Sequence, residues 1–300
     1  MTIDRTAASS YRVEVPRLRH AGDDAQPVAA FTVDVEDWYQ SCIDFDAPIT
    51  ERVVRNVDRV LAVLDECGVK ATFFVQGLVA ERFPGLVLTL VDLGHEVQSH
   101  GYSHRPLNEM GPRALRQELE RARQTVEDAS GTTVNAFRAQ DFSIMTGNLW
   151  ALETLADVGF TVDSSIFPMR ARRYGIAGWE LGPHRLGLAD GTVLLEVPVA
   201  VSEVGRWRLP VGGGGYFRVL PTAVLERALR SVIAHRPAVV YCHPYEFNSQ
   251  ELSDYREAVP ASVRWSQNLG RGFLVSRVRT LLSNIPFGRF DRVLAAWGLT

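Results

Sequence analysis

Apolar residues along this chain fall into two alternating rhythms. PVAAFTVDVEDWY is apolar and β-branched from Val28 to Val35, then runs into acids at Asp34, Glu36 and Asp37. A buried strand ending at a polar rim predicts that pattern. Val53, Val54, Val57, Val60, Leu61 and Leu64 then recur at helical spacing, and Gly68 follows as a stop signal. VKATFFVQG reads as a second buried strand, LVAERFPGLVLTLVDLG as a helix broken around Pro84, and HEVQSH as a short third strand. Pro112 opens a helix with Leu115, Leu119 and Val126 on its inner face, ending near Gly131.

The rhythm continues to the C-terminal region. TVNAFRA is a fourth strand, GNLWALETLADVG a helix closed by Gly159, and FTVDSS a fifth strand. TVLLEVPV is strand-like, PTAVLERALRSVIAH helical, and AVVYCHP a last apolar strand ending on a histidine. Met169 to Gly215 is irregular, rich in Gly, Pro and Arg, and predicts a substrate-facing excursion. Strands alternating with helices predict βαβ units, a parallel sheet and an α/β fold. Residues 1–27 mix charges with small residues and read as a poorly ordered tail. Residues 28–300 read as one domain, with a helical extension from about 261 whose arginines would form a solvated face.

Composition narrows the setting. The chain has 300 residues, 46% hydrophobic and 22% charged, with a formal net charge of −3. No basic field calls for nucleic acid as a partner. Cys42, Cys67 and Cys242 lack any paired spacing and predict reduced thiols rather than a disulfide framework. No apolar run reaches the roughly 18 residues of a membrane helix, and no signal-peptide core is seen, so a cytoplasmic location is expected.

The position of the polar residues carries the chemistry. Asp34, Glu36 and Asp37 sit at the end of the first strand, His100 and His104 follow the third, Arg138 ends the fourth, Asp163 the fifth and His243 the last. In a parallel α/β barrel those ends open on one face, where active sites are assembled. SHGYSH supplies two imidazoles four apart, with Gly101 breaking any regular helix between them. With an acid from another strand end they could hold a divalent ion. Strand alternation puts Asp34 and Glu36 on one face, which favours Glu36 as that acid; if the strand already turns there, Asp37 is equally placed. His95 reads as structural. VGGGGYFR lacks the Lys-Ser/Thr of a phosphate loop and reads as a flexible turn beside the site.

FTVDVEDWYQ, SHGYSH, FRAQDF, VDSSIFP and YCHPYEF, in that order, resemble the five motifs of the polysaccharide deacetylases, carbohydrate esterase family 4. The first is most similar to the branch reading D-V-E-D-W/Y. The resemblance spans roughly Ala29 to Phe247, and the Gly213–Arg218 stretch fits the same branch. It implies a distorted (β/α) barrel of about seven parallel strands and metal-dependent hydrolysis of an N-acetyl group on an amino sugar; with the cytoplasmic location expected, that sugar would be a glycoside or a nucleotide- or lipid-linked intermediate of polysaccharide or secondary-metabolite biosynthesis. Asp34 would be the general base, held ionised and in place by Arg138. His243 would be the general acid, oriented and kept protonated by Asp163. His100 and His104 would ligate the metal with Glu36 or Asp37. Zinc is the default for those donors, and cobalt, nickel or iron also fit.

One motif departs from the family pattern, in which proline and then a small or aromatic residue usually follow Arg-x; here Gln140 and Asp141 stand. A carboxylate beside the developing oxyanion is unfavourable unless it points away or is paired. Asp141 therefore implies a changed substrate, a contact to an amino sugar, an extra metal contact or impaired deacetylation. Trp38, Phe142 and Tyr245, with Tyr39, Tyr102 and Phe167, are placed to stack on sugar rings. Hydrolysis of another linear or cyclic amide, or a non-catalytic carbohydrate-binding role, are the competing readings.

Overall fold

The structure is a computed structural model that describes residues 11–20 and 28–300, apart from Arg172, Arg206, Arg256 and Glu257. Its strands are β1 (Arg12–Glu14), β2 (Ala29–Val35), β3 (Thr72–Val75), β4 (Glu96–Ser99), β5 (Ala136–Phe137), β6 (Val162–Asp163), β7 (His184–Gly187), β8 (Val193–Glu196), β9 (Val201–Val204), β10 (Trp207–Pro210), β11 (Ala238–Cys242) and β12 (Phe287–Gly288). One sheet runs β1-β7-β8-β6-β5-β4-β3-β2-β11, with β12 also beside β2. Every neighbouring pair from β8 to β11 is parallel, which accounts for the expected parallel strands.

Irregular backbone closes the remaining gap. The Ala200 N–H donates to the Val239 carbonyl at 2.8 Å, and the Tyr241 N–H donates to the Gly212 carbonyl at 2.6 Å. The sheet thus curls into a distorted barrel. This closure explains the glycine run. A Cβ on Gly213 would stand 1.9 Å from the Tyr241 carbonyl oxygen, and one on Gly212 would stand 2.8 Å from the Ala200 nitrogen. The glycines let two backbones touch, rather than supplying the flexible turn expected.

Strand alternation sorts the core into two layers. Phe31, Val33 and Val35 of β2 pack outward with Val53, Val57, Val60 and Leu64 of the helix Arg52–Glu66. Ala30 points inward, beside Phe74 of β3 and Val239 of β11. Both faces of β2 are covered and all its residues are buried, as a central parallel strand requires. The polar residues of the same inward face, Thr32 and Asp34, therefore enter the barrel rather than solvent.

The C-terminal region is more deeply built in than an extension. β12 pairs with β2, and the helix Phe290–Ala296 puts Phe290, Val293 and Leu294 into the inner layer. The Phe290 ring meets the Phe74 ring edge-on at 6.0 Å. Nor do all its arginines form a solvated face. Arg271 is buried and donates to the carbonyls of Tyr245, Asn248 and Gln267.

Two regions differ from the pattern-based expectation. Within the stretch read as a tail, β1 pairs antiparallel with β7; the rest of that stretch, residues 1–10 and 21–27, lies outside the described residues. Met169 to Gly215 is not all irregular, for it holds the β7–β8 pair and the β9–β10 hairpin. HRLG and WRLP give too few alternating positions to register as strands. Truncation of the inner plug is expected to be costly: Phe290→Ala should lower the unfolding free energy by about 3–5 kcal/mol, read as an earlier urea midpoint.

Candidate active site

Successive strand ends deliver the polar groups to one mouth of the barrel. His100 follows β4 directly, and Gly101 turns the chain with φ of 73°. A Cβ on Gly101 would lie 2.7 Å from the Gln140 side-chain oxygen, and the left-handed backbone there favours glycine in any case. The loop is then pinned by Glu118, whose Oε1 accepts from the Tyr102 N–H at 3.0 Å, the Ser103 N–H at 2.6 Å and the Ser103 hydroxyl at 2.9 Å. Among the described residues, His104, Asp141 and Phe142 are the non-glycine residues with positive φ, at 65°, 54° and 48°. All three are at this mouth, where such backbone strain commonly marks a functional constraint.

Glu36, His100 and His104 converge, each offering one ligand atom, with those atoms all within 4.8 Å of one another. His100 Nε2 lies 3.4 Å from Glu36 Oε2, and His104 Nε2 contacts the same oxygen. The His100 Nδ1 is 2.9 Å from the Arg138 carbonyl, which can only accept, so the proton sits on Nδ1 and leaves the Nε2 lone pair free. All three groups are buried. Burial pushes the Glu36 carboxyl up, but His104 and His243 outweigh it and hold it well below the usual range. Burial pushes His104 down, yet Glu36 overcomes this and raises it. Here protons on His104 and His243 supply the positive charge that a divalent ion would otherwise bring. Two imidazoles and a carboxylate, buried and mutually facing, fit such an ion.

Asp37 is placed elsewhere. It caps the short helix Trp38–Cys42, accepting from the Tyr39 N–H at 3.1 Å, and its other oxygen accepts from Thr50 N–H at 2.9 Å and Thr50 hydroxyl at 2.6 Å. The strand ends at Val35, but Glu36 keeps its inward direction and Asp37 turns to the cap.

Asp34 pairs with Arg138 at 2.8 Å. Arg138 is wholly buried; it also donates to Thr32 Oγ1 at 2.6 Å and Ser164 Oγ at 3.1 Å, and its guanidinium lies 4.2 Å from the Phe74 ring centre. One guanidinium thus ties β2, β3, the end of β5 and the end of β6 together.

Asp163 does not meet His243. It accepts from the Ser165 hydroxyl and lies beside Glu196, its neighbour across β6 and β8. Ser165 in turn accepts from the Ala139 N–H at 2.8 Å, so Asp163 braces the Arg138 loop. The partner of His243 is Glu246. Its Oε2 lies 3.2 Å from His243 Nδ1 and accepts the His243 N–H at 3.0 Å, while its Oε1 is 3.3 Å from Arg218 Nε. His243 Nε2 points toward Glu36 Oε1 at 4.0 Å. Burial pushes His243 down, but Glu36 and Glu246 raise it to about 9.

Asp34, Glu36, His100, His104, His243 and Glu246 border a cavity of about 390 Å³, within the range of small-molecule sites. Trp38, Phe142 and Tyr245 line it, whereas Tyr39, Tyr102 and Phe167 do not. Asp141 lines it too, with its carboxylate paired to Arg173 at 3.0 Å. Sequence reasoning missed Glu118, Arg173, Arg218 and Glu246. Of these only Glu246 had a local signal, a carboxylate one helical turn after the histidine in HPYEF.

Comparison with known proteins agrees with this geometry. The model of the polysaccharide deacetylases matches residues 23–156, a stretch holding Asp34, Glu36, His100, His104 and Arg138. Over that stretch the chain is similar to the polysaccharide deacetylases. A second model, a domain of unknown function (DUF3473), matches residues 164–295, which hold Arg218, His243 and Glu246. The chain is 31% identical over 120 residues to a peptidoglycan deacetylase-like protein FGM2 of Gibberella zeae, covering 39% of this chain and 35% of that one. It is 30% identical over 96 residues to a peptidoglycan-N-acetylglucosamine deacetylase of Bacillus cereus, covering 32% and 35%. The chain thus spans about a third of the length of these relatives. A crystal structure of a Mycobacterium smegmatis protein provisionally classed with polysaccharide deacetylases superposes with a TM-score of 0.59 at 21% identity, over 95% of both chains. Puue allantoinase superposes with a TM-score of 0.61 at 14% identity, over 94% of both, a likeness of fold alone.

The Asp163–Glu196 pair makes a checkable statement about pH. Burial raises both carboxyls, Asp163 to about 6 and Glu196 well above its ordinary value, so the fold retains a proton that the unfolded chain would release. A raised carboxyl stabilises most fully below its unfolded value near 4, and that stability is lost as pH rises through the folded value. Glu196→Gln should therefore gain stability relative to wild type as pH rises above the unfolded carboxyl value of about 4, measured as urea midpoints at each pH. A difference that stays flat across the range would contradict the retained proton.

Proposed function

We propose that the protein is a metal-dependent hydrolase that removes the acetyl group from an N-acetylated amino sugar, free or attached to a carrier. The observation that carries the reading is the convergence of Glu36, His100 and His104 between an Arg138-paired Asp34 and a His243 imidazole. Glu36, His100 and His104 would hold the ion, with zinc first among the metals that suit such donors. A divalent ion bound there lowers the pKa of water and polarises the amide carbonyl.

The residues of the chain divide the remaining work. Asp34, fixed by Arg138, takes a proton from the attacking water as its oxygen bonds to the acetyl carbon. His243 gives a proton to the sugar nitrogen as the carbon–nitrogen bond breaks, releasing acetate and a free amine. The Glu246 carboxylate against Nδ1 favours the protonated imidazole, which supports the donor role. The aromatic walls at Trp38 and Tyr245 suit the apolar faces of a sugar ring. Arg173 pairs with the Asp141 carboxylate at the rim, which supports the reading despite a carboxylate near the oxyanion.

Acetate release should be assayed against chitooligosaccharides, nucleotide-linked N-acetylhexosamines and a cyclic ureide, alongside elemental analysis. Chelation should abolish acetate release, and added zinc should restore it. Turnover of the cyclic ureide alone, or full activity in metal-free protein, would sink the reading. Asp34→Asn should lower kcat by about 10²–10⁴-fold with metal content unchanged. His104→Ala should lose the metal itself.

A further inference from the structure

His243 is held by a carboxylate that its own turn supplies. Glu246 is buried to 3% exposure, and both its oxygens are committed: Oε2 to the Nδ1 and backbone N–H of His243, Oε1 to Arg218. The imidazole is stacked on Tyr245 at 5.0 Å and 12°, and meets the Tyr241 ring edge-on at 5.5 Å. Only the Nε2 edge is left facing the cavity.

We infer that Glu246, fixed in turn by Arg218, is the positioning residue for His243, keeping the proton on Nδ1 and aiming Nε2 at the departing nitrogen. The inference rests on the hydrolase reading above. In the reacting complex a proton leaves Nε2 for the amine as the carbon–nitrogen bond breaks, and Nδ1–H stays bonded to Glu246 throughout. Asp163 does not serve this purpose, since it accepts from Ser165 and lies beside Glu196 on the neighbouring strand.

Arg218 is itself rigidly seated. Its Nη1 donates to the Gln267 carbonyl, and its own carbonyl accepts from Arg277. A Cβ on Gly270 would lie 2.0 Å from that carbonyl oxygen, so the segment packs directly on it. Arg218 ends the GGGGYFR run, which therefore does more than close the barrel. Arg218, His243 and Glu246 all fall in residues 164–295, the stretch matched by the domain of unknown function. Its contribution to the site is the proton-donating half.

A purely structural reading competes, because Glu246 also caps the short helix Pro244–Phe247. Two substrates separate the two. Triacetylchitotriose has a leaving amine that needs a proton, whereas the nitrophenolate of 4-nitrophenyl acetate departs without one. Glu246→Ala should lower kcat on the sugar about 10²-fold with KM little changed, and leave ester hydrolysis near the wild-type rate. Glu246→Gln, which still accepts from Nδ1, should recover part of the loss, and Arg218→Met should reproduce it more weakly. Equal losses on both substrates, or an unchanged kcat on the sugar, would overturn the inference. Wild-type protein that releases acetate from neither triacetylchitotriose nor nucleotide-linked N-acetylhexosamines would instead overturn the deacetylase reading beneath it.

Discussion

A carboxylate buried at 3% exposure must have positive charge beside it, and Glu36 finds that charge in His104 and His243. Removing an ion from water costs several kcal/mol unless a counter-charge replaces the solvent. The requirement reaches through the fold. His104 comes from the loop after β4 and His243 from the end of β11, so satisfying one carboxylate on β2 demands that three separated parts of the sheet arrive in register. Arg138 imposes the same discipline one layer deeper, since a fully buried guanidinium needs its acceptors in place. The barrel is held at its mouth by electrostatics and along its walls by apolar packing.

Much of this was legible in the sequence. The parallel strands between Ala29 and Cys242 announced themselves because fully buried strands read as apolar runs, and the helices because their inner positions recur with helical period. Asp34, Glu36, His100, His104 and Arg138 were legible because they stand where those runs stop. The choice between Glu36 and Asp37 was not, since it depends on where β2 releases into the Asp37 cap. Asp163 was misplaced for a similar reason: its position at a strand end said that it faced the barrel, not which neighbour it met. Glu118, Arg173 and Arg218 lie far from the site in sequence and reach it only through tertiary packing, which no local pattern encodes.

The two matched segments divide the site rather than the fold. Glu36, His100, His104 and the Asp34–Arg138 pair come from residues 23–156, and His243, Glu246 and Arg218 from residues 164–295. Neither stretch encloses the cavity without the other. β11 from the second lies against β2 from the first, and the glycine-lined closure joins β11 to the chain leaving β8. A substitution in either stretch can therefore alter chemistry seated in the other.

The plug formed by β12 and the helix Phe290–Ala296 also has a consequence for synthesis. β2 leaves the ribosome long before its β12 partner and the apolar groups that fill the barrel beneath it. The nascent chain must hold an unfilled barrel until then, with the inner faces of Ala30, Phe74 and Val239 uncovered. Contacts this distant in sequence close slowly, and an exposed apolar interior invites aggregation in the interval. Translation rate and chaperone supply thus bear on the yield of this protein more than the stability of the finished barrel would suggest.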